Sequence, residues 1–316
     1  MKTPLQIVTG IFTATLLITG INFSASSQRL NSTQSGSVYA PANVKIDAKS
    51  DEWGDFQAYN TTTDVFYTLA NDDKNLYLVV KSTNQMINNK IVAGGITFTI
   101  NTNGKKKKDI GSFVTTFPLI DMATVRGQMQ ARMRSAMGGK ALDSAAIAGM
   151  RNQAIASAKE IKLEGFKNIP DSVISIYNEY GFKAAVDYDR NGNLVCEMSI
   201  PLKYLNLTLD NTQGFAYNIK LNGLNMNAMR GGGNVTVMRM GDAGGMPPAG
   251  MMGGAQTVVI RDAVRTDGMG GGGGMGTATF GGGEGMKMPP GMPSINDMQN
   301  MVSPTDFWAK YSLAKK

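Results

Sequence analysis

The stretch that most constrains this chain is residues 65–82, which read VFYTLANDDKNLYLVVKS. Two runs of β-branched, aromatic and other apolar residues flank the polar centre NDDKN. Runs of this composition, bounded by turn-forming residues, predict antiparallel strands, and the Asx-rich centre tolerates tight backbone geometry. We therefore predict a β-hairpin here, and we expect the other strong signals to be further strands of the sheets to which it belongs.

Alternating apolar residues predict several more strands of this kind. The turn at 189–193 contains Asn191-Gly192, which is typical of a hairpin, and Gly104 closes a turn at 101–104. Pro201 should end one strand, with a short helical segment at 202–207. The predicted strands are a short one around Val44 and Ile46, then 95–100, 175–178, 181–188, 194–200, 215–222 and a final strand at 306–314.

Residues 121–162 change character and predict an inserted helical hairpin. The first helix carries methionines at three- and four-residue spacing, and the second begins near Asp143 as an N-cap and runs through Ile161. We expect the pair to pack over a sheet face or end, although a methionine-rich amphipathic face also suits a partner or a membrane surface.

Between residues 225 and 301 the composition collapses to glycine and methionine, with 21 of the 38 Gly and 14 of the 22 Met. Such a segment has few branched or aromatic residues to bury, so we expect most of it to be disordered. Two alternating islands, 234–240 and 256–264, predict strands within it.

The N-terminus has the pattern of an export signal. Lys2 precedes an apolar run over 7–23, and Ala25 and Ser27 supply small residues at the −3 and −1 positions, so cleavage is expected before Gln28. An uncleaved anchor is the alternative, but we expect no membrane span after signal removal. Residues 28–42 are polar and Ser-rich, and we expect a flexible lead-in followed by a single domain over 43–316.

Charge and cysteine usage narrow the location and the partners. The chain has 31 Lys and Arg against 24 Asp and Glu, and residues 101–165 hold 11 basic against 5 acidic residues, which is +6 of the net +7. A basic character confined to one insertion is weak evidence for nucleic acid, and an envelope location argues against it, whereas a patch facing anionic lipid or polysaccharide is an open alternative. The four lysines at 105–108 are interpreted as a solvated loop edge, with an electrostatic docking site as the alternative. Cys196, the single cysteine, lies in an alternating strand pattern and is interpreted as a buried hydrophobe. An exported chain without disulfides suggests a bacterial envelope protein, periplasmic or extracellular.

The residue types exclude several kinds of chemistry. The chain has no histidine, which removes Ser-His-Asp and Cys-His catalysis and His-ligated zinc, copper and haem. No P-loop or dinucleotide fingerprint is present. We therefore predict no catalytic residues, no cofactor and no dedicated metal site, with soft-metal capture by the methionines as a minor alternative.

Three segments together resemble the carbohydrate-binding module family 9-like domains, a group related in fold to DOMON domains. They are IDAKSDEW at 46–53, the hairpin at 65–82, and CEMSIPLKYL at 196–205. The resemblance rests on Asp47, Asp51, Trp53, Ala70, Asp72, Leu76, Tyr77, Glu197, Ile200 and Pro201, and the chain departs from the family's pattern at Ala48, where glycine is usual. It implies an antiparallel β-sandwich and favours carbohydrate as the ligand class.

The resulting hypothesis is a non-enzymatic, exported binding module, possibly for polysaccharide. The candidate ligand-binding residues are Trp53, Trp308 and Tyr77, because a sugar site needs an aromatic ring presented to solvent among polar neighbours. Trp53 is placed on the apolar face by the 47–51 turn and is alternatively a core anchor. The competing hypothesis is an envelope interaction or assembly protein that uses the helical hairpin and the Gly/Met-rich segment.

Overall fold

The computed structural model describes residues 29–138, 142–210, 214–224 and 295–316. In these ranges the chain forms two antiparallel sheets, as expected for the predicted all-β sandwich. The strands are β1 (Ala58–Asn60), β2 (Val65–Asn71), β3 (Asn75–Ser82), β4 (Ile96–Asn101), β5 (Ser112–Phe117), β6 (Glu160–Glu164), β7 (Val173–Ser175), β8 (Lys183–Tyr188), β9 (Leu194–Pro201), β10 (Phe215–Leu221) and β11 (Thr305–Tyr311). The first sheet has the order β1-β2-β3-β9-β8, and the second has the order β11-β10-β4-β5-β6-β7.

The hairpin from which the prediction started is β2 and β3, and its turn is closed by an aspartate. Asp72 Oδ1 accepts hydrogen bonds from the backbone N–H groups of Lys74 (2.7 Å) and Asn75 (2.6 Å). A carboxylate that caps the backbone two and three residues on is the usual way in which Asx residues stabilise tight turns. The second predicted hairpin, β8 with β9, is also confirmed, and Gly192 has a φ of +77° in its turn.

The core lies between the two sheets and is filled by alternate residues of their strands. Tyr67 and Tyr217 come from opposite sheets, both fully buried, and their hydroxyl oxygens are 2.9 Å apart. Sharing that hydrogen bond satisfies both hydroxyls in an otherwise apolar core. Cys196 is also fully buried there, which confirms its interpretation as a hydrophobe, and burial raises the pKa of its thiol.

Helices interrupt the sheets at both predicted and unpredicted places. The helices are α1 (Gln85–Gly94), α2 (Met122–Met137), α3 (Ser144–Ser157) and α4 (Ile295–Val302). The predicted hairpin is α2 with α3, and Asp143 caps α3 by accepting from Ala146 N at 2.7 Å. The predicted extent of 121–162 is wrong at its end, because α3 stops at Ser157 and β6 follows. Ile161 and Leu163 are buried at period two, so they belong to a strand.

Residues 31–42 correct the expectation of a flexible lead-in. Gln34 is buried, and its side chain accepts from Leu69 N and donates to Leu69 O, both at 2.8 Å. Further along, Asn71 N donates to Val38 O (3.0 Å) and Ala40 N donates to Asn71 O (2.8 Å). This segment therefore satisfies the edge of β2 beyond the point where the short β1 ends.

Several predictions fall on residues outside the described ranges. They are the export signal at 1–27, the Gly/Met-rich segment from 225 to 294, and the two strands predicted at 234–240 and 256–264. The last part of the predicted disordered segment is corrected, since α4 begins at Ile295 and Leu224 N donates to Met301 O at 2.8 Å. Among the described helices, none has the length and apolar character needed to cross a membrane.

Candidate functional site

The three predicted site residues lie on two different sheet faces. Trp53 and Tyr77 lie together on the outer face of the first sheet, with ring centroids 5.6 Å apart. Trp308 lies on β11, at the edge of the second sheet. The structure therefore offers two separate candidate sites, which differ in their exposure to solvent.

The first site is a small hydrophobic cluster, separate from the main core. Trp53 and Tyr77 are only 8% and 6% exposed, because the chain before β1 lies over them. The other buried members of the cluster are Ala40, Ala70, Val79 and Val195, and Val38, Val44, Ile46 and Phe56 pack against it. Val44 and Ile46 thus contribute to this cover without forming the strand predicted for them. Neither ring presents a face on which a sugar could stack.

Glu197 lies at the centre of this cluster and explains the motif residues of the resemblance. Its side chain is fully buried, and Oε2 accepts from Asp47 N (2.9 Å) and Ala48 N (2.8 Å) while Oε1 accepts from Trp53 Nε1 (2.8 Å). Burial raises the pKa of Glu197 to about 7, although these three hydrogen bonds lower it. The carboxyl group joins the 47–53 turn to β9.

The turn places its amides around Glu197 by adopting a backbone conformation that favours glycine. Ala48 has a φ of +62°, in the left-handed region, and its methyl group is buried. This is the position at which the resembling family usually has glycine. The chain accepts the strained alanine because two consecutive N–H groups then point at one carboxylate oxygen. The first site is therefore a structural clamp.

Tyr77 has a second structural partner at the edge of the same cluster. Its hydroxyl donates to Asp72 Oδ2 at 2.6 Å, and burial together with this bond raises the pKa of Tyr77. Asp72 is the residue that caps the β2–β3 turn, and its hydrogen bonds hold the pKa of Asp72 below the ordinary value in spite of burial. Tyr77 therefore ties the hairpin turn to the cluster.

Trp308 has different surroundings. Its neighbour Phe307 points into the core, where the ring contacts Tyr67 and Tyr217 with centroids 5.2 and 6.5 Å away. Because side chains alternate along a strand, Trp308 lies on the opposite, outer face. The indole is half-buried, whereas the flanking Asp306 and Lys310 are exposed.

Polar residues of the adjacent strand lie beside this indole, of which Asn218 is buried and Lys220 is half-buried. Asn218 is directly opposite Trp308, and Lys220 is directly opposite Asp306. Asn218 Nδ2 donates to Asp306 Oδ2 (2.6 Å) and to Phe307 O (2.8 Å), which orients the carboxylate beside the indole. We call Trp308, Asp306, Lys310, Asn218 and Lys220 the Trp308 platform. It combines one aromatic face with a carboxylate and two ammonium groups.

Tyr177 is an exposed aromatic residue that sequence reasoning did not single out. Its side chain is 81% exposed in the turn after β7. The surrounding SIYNEYGF alternates like a strand, and this pattern led to the prediction of a strand at 175–178. The strand ends at Ser175, and Asn178 organises a turn by accepting from the N–H groups of Gly181 (3.0 Å) and Phe182 (3.2 Å).

Other features of the described residues offer less for binding. An open cleft of about 310 Å³ lies at the turn between β6 and β7. Its lining includes Leu163, Glu164, Phe166 and Asp171. The ring of Phe166 is buried against Phe113 and Phe182, so it is not free to contact a ligand. In the described part of the chain, no group of three or more Cys, Asp or Glu side chains is placed to hold a metal ion.

No protein-family model matches the chain, and no curated protein matches it. Among solved structures, the chain is similar to a carbohydrate binding module family 9 (CBM9) from Caldicellulosiruptor kristjanssonii in complex with glucose, at 12% identity and a TM-score of 0.29. The match covers 61% of this chain and 80% of that chain.

Proposed function

We propose that this chain is a non-enzymatic binding module that binds carbohydrate through the Trp308 platform. The observation that carries the proposal is the placement of Trp308, a partly exposed indole on an outer sheet face beside a carboxylate and two ammonium groups. A sugar ring has an apolar face of C–H groups and a rim of hydroxyls. An indole with charged hydrogen-bonding neighbours matches both parts.

The choice among the aromatic residues follows from their burial. Trp53 and Tyr77 are covered by the chain before β1, and Tyr67 and Tyr217 are in the core. Tyr177 is exposed, but its flanking residues do not form a sheet face that could hold the rest of a sugar ring. Trp308 is held from behind, because Phe307 anchors its strand in the core. A rigid backing lowers the entropic cost of binding.

The non-enzymatic part of the proposal rests on composition. Without histidine, and with its only cysteine buried and its thiol pKa raised, the chain has neither a Ser-His nor a Cys-His pair. The pKa of Glu197, about 7, would suit a general acid or base. Its two oxygens, however, accept hydrogen bonds from three protein donors and are buried.

Tryptophan fluorescence tests the proposal directly, since Trp53 and Trp308 are the only two indoles. The chain without residues 1–27 is titrated with soluble oligosaccharides, and acrylamide quenching is measured with and without each one. We expect the quenchable fraction of the emission to belong to Trp308, and a bound sugar should protect it. Trp308→Ala should weaken binding, measured by calorimetry, at least about tenfold.

Matched variants separate a local effect from unfolding. Tyr177→Ala removes an aromatic residue that is more exposed and lies outside the platform, and it should bind as the parent does. Asp306→Ala removes the exposed carboxylate with little apolar area, and it should weaken binding about threefold to tenfold. Binding that survives Trp308→Ala with unchanged affinity contradicts the proposal, as does an indole that no sugar of a broad panel protects.

Export also belongs to this proposal. The signal at 1–27 would carry the module to the periplasm or the extracellular space, where polysaccharides are its natural ligands. The competing envelope interaction or assembly role would use the helical hairpin and the Gly/Met-rich segment, and soft-metal capture would use the methionines. Most of the Gly/Met-rich segment lies outside the described residues.

A further inference from the structure

The loop between β4 and β5, residues 102–111, combines a fully exposed isoleucine with a run of lysines. Ile110 is the most exposed large hydrophobic side chain in the described part of the chain. Lys105, Lys106, Lys107 and Lys108 precede it and are all exposed. Lysines alone are typical of a solvated loop, whereas basic residues combined with an exposed apolar side chain are typical of segments that lie on a membrane surface.

The loop holds Ile110 outward by a network of hydrogen bonds. Asn101 Nδ2 donates to Lys107 O (2.8 Å) and to Asp109 Oδ2 (3.1 Å). Asp109 Oδ1 accepts from Gly111 N (3.1 Å) and from Ser112 Oγ (3.2 Å). The pKa of Asp109 lies below its ordinary value, and the largest cause is the hydrogen bond from Asn101. The residues on either side of Ile110 are therefore fixed, and the loop presents its side chain without collapsing over it.

The charge at this end of the sheet is positive and mostly unpaired. Val114 pairs with Glu164, so the end of β6 lies beside the start of β5 and beside this loop. Glu164 forms ion pairs with Lys108 (2.7 Å) and Lys162 (3.1 Å). The hydrogen bonds from these two lysines lower the pKa of Glu164 below its ordinary value. Among the described residues, Lys105, Lys106 and Lys107 have no carboxylate within 4.0 Å.

We propose that this loop docks the protein on the surface of an anionic lipid bilayer. Peripheral membrane attachment combines basic residues, which are attracted by anionic headgroups, with an apolar side chain that enters the interface. The loop supplies both within six consecutive residues. An anionic polysaccharide would use the lysines but would leave Ile110 in water, so the isoleucine favours lipid. This surface is separate from the Trp308 platform in sequence and in residues.

Vesicle sedimentation tests the proposal with the chain without residues 1–27. Vesicles of phosphatidylcholine with about 30% phosphatidylglycerol are compared with vesicles of phosphatidylcholine alone, at low salt and at about 0.5 M salt. We expect binding to the anionic vesicles only, weakened by salt. Changing Lys105, Lys106 and Lys107 together to Gln should lower the partition coefficient about 100-fold, at roughly 1 kcal/mol per basic residue.

Ile110→Ser distinguishes lipid from other polyanions. It should lower vesicle partitioning about fivefold or more, because the apolar contact is lost while every charge remains. Tyr177→Ser is the matched control. This substitution also removes a highly exposed hydrophobic side chain. Tyr177 lies just after Ser175, which pairs with Glu160, so it is at the end of β6 opposite to the lysine loop. This control should bind as the parent does.

The charge control is Lys45→Gln, Lys49→Gln and Lys183→Gln combined, which removes three exposed lysines elsewhere. It should retain most of the binding. Equal binding by Ile110→Ser and the parent would overturn lipid docking and would instead indicate a charge-only contact with a polyanion. Equal loss in both lysine triple variants would show that net charge, and not this loop, is responsible.

Discussion

At the scale of single residues, one carboxyl group connects the distant parts of the resemblance to the carbohydrate-binding module family 9-like domains. Glu197 accepts from two backbone amides of the 47–53 turn and from the Trp53 indole, while its neighbour Cys196 points into the main core. A buried carboxyl group is tolerated only when its oxygens have partners, and here each oxygen has at least one. The separation of these motif residues in the sequence thus has a physical explanation in this chain, because Glu197 joins them.

We expect Glu197→Ala to lower the free energy of unfolding by about 2 kcal/mol. Alanine removes the acceptor of the Trp53 Nε1–H and of the Asp47 and Ala48 backbone N–H groups in a buried place. Urea denaturation measures the loss. Glu164→Ala, which removes a carboxylate from a surface ion pair, is the control and should cost less than about 1 kcal/mol. An unchanged midpoint for Glu197→Ala would contradict the clamp.

The pH dependence of stability should also report on Glu197. Its pKa is about 7 in the folded protein, against 4.5 ordinarily, so the folded state holds a proton that the unfolded chain has released. The resulting stabilisation is complete below pH 4.5 and is lost as the pH rises through 7, on the order of 3 kcal/mol in total. The chain has no histidine, so few other side chains titrate in this window.

Unfolding midpoints measured between about pH 5 and pH 8 check this sign. The parent should lose stability as the pH rises, and Glu197→Gln should show a flatter profile because its amide does not titrate. A parent protein that instead gains stability over this range would mean that the three hydrogen bonds outweigh burial.

At the scale of elements, the edges of the first sheet depend on segments that are not strands. β1 pairs with β2 only from Val65 to Tyr67, so the rest of β2 would expose its backbone groups. The side chain of Gln34 hydrogen-bonds to the backbone N–H and C=O of Leu69. The backbone of Val38 and Ala40 does the same for Asn71. An edge covered in this way is protected from pairing with another chain.

We therefore expect Gln34→Ala to destabilise the fold by about 1–3 kcal/mol, because Leu69 N and O lose their partners in a buried place. Thermal unfolding measures the effect. Ser35→Ala is the matched control, since Ser35 is the exposed neighbour, and it should change stability by less than about 0.5 kcal/mol. If the two variants were equally stable, the result would support the original prediction that residues 28–42 are a flexible lead-in.

At the scale of the whole molecule, both proposed binding surfaces belong to the second sheet. The Trp308 platform lies on the β11 and β10 edge of the second sheet, and the lysine and isoleucine loop joins β4 to β5. We propose sugar as the ligand of the first surface and an anionic bilayer as the ligand of the second. A protein that carries both could hold a glycan close to a membrane, which is consistent with the proposed export.

Export makes its own prediction about the mature chain. When the full chain is expressed in a bacterium, mass spectrometry of the secreted or periplasmic protein should give an N-terminus at Gln28. Ala25→Arg places a large charged residue at −3 and should block cleavage, whereas Ser26→Arg at −2 is the control and should not. A protein that keeps residues 1–27 in both the parent and the control would indicate an anchor.

The strands with strong alternation could be predicted from the sequence, and the weaker ones could not. In residues 65–82, 181–200 and 215–222 one face of each strand is buried. Apolar residues therefore recur at every second position, and this alternation is visible in the sequence. β5, with the sequence SFVTTF, and the short β1 were not predicted. Thr115 and Thr116 hide the alternation in β5, although both are buried. α1 was also missed because its apolar face is short, and Asn84 caps it by accepting from Met86 N at 2.9 Å.

The site residues divide along the same physical line. The sequence by itself determined that Trp53, Tyr77 and Trp308 are the aromatic residues of interest and that Cys196 is buried, because residue type and local pattern carry that information. Only the tertiary structure decided that Trp53 and Tyr77 are covered while Trp308 is partly open. Exposure depends on which distant segment lies over a sheet face, and part of the cover over Trp53, Val38 and Ala40, lies in residues predicted to be flexible. A local pattern records which face of a strand is apolar, but only the assembled chain shows what lies against that face.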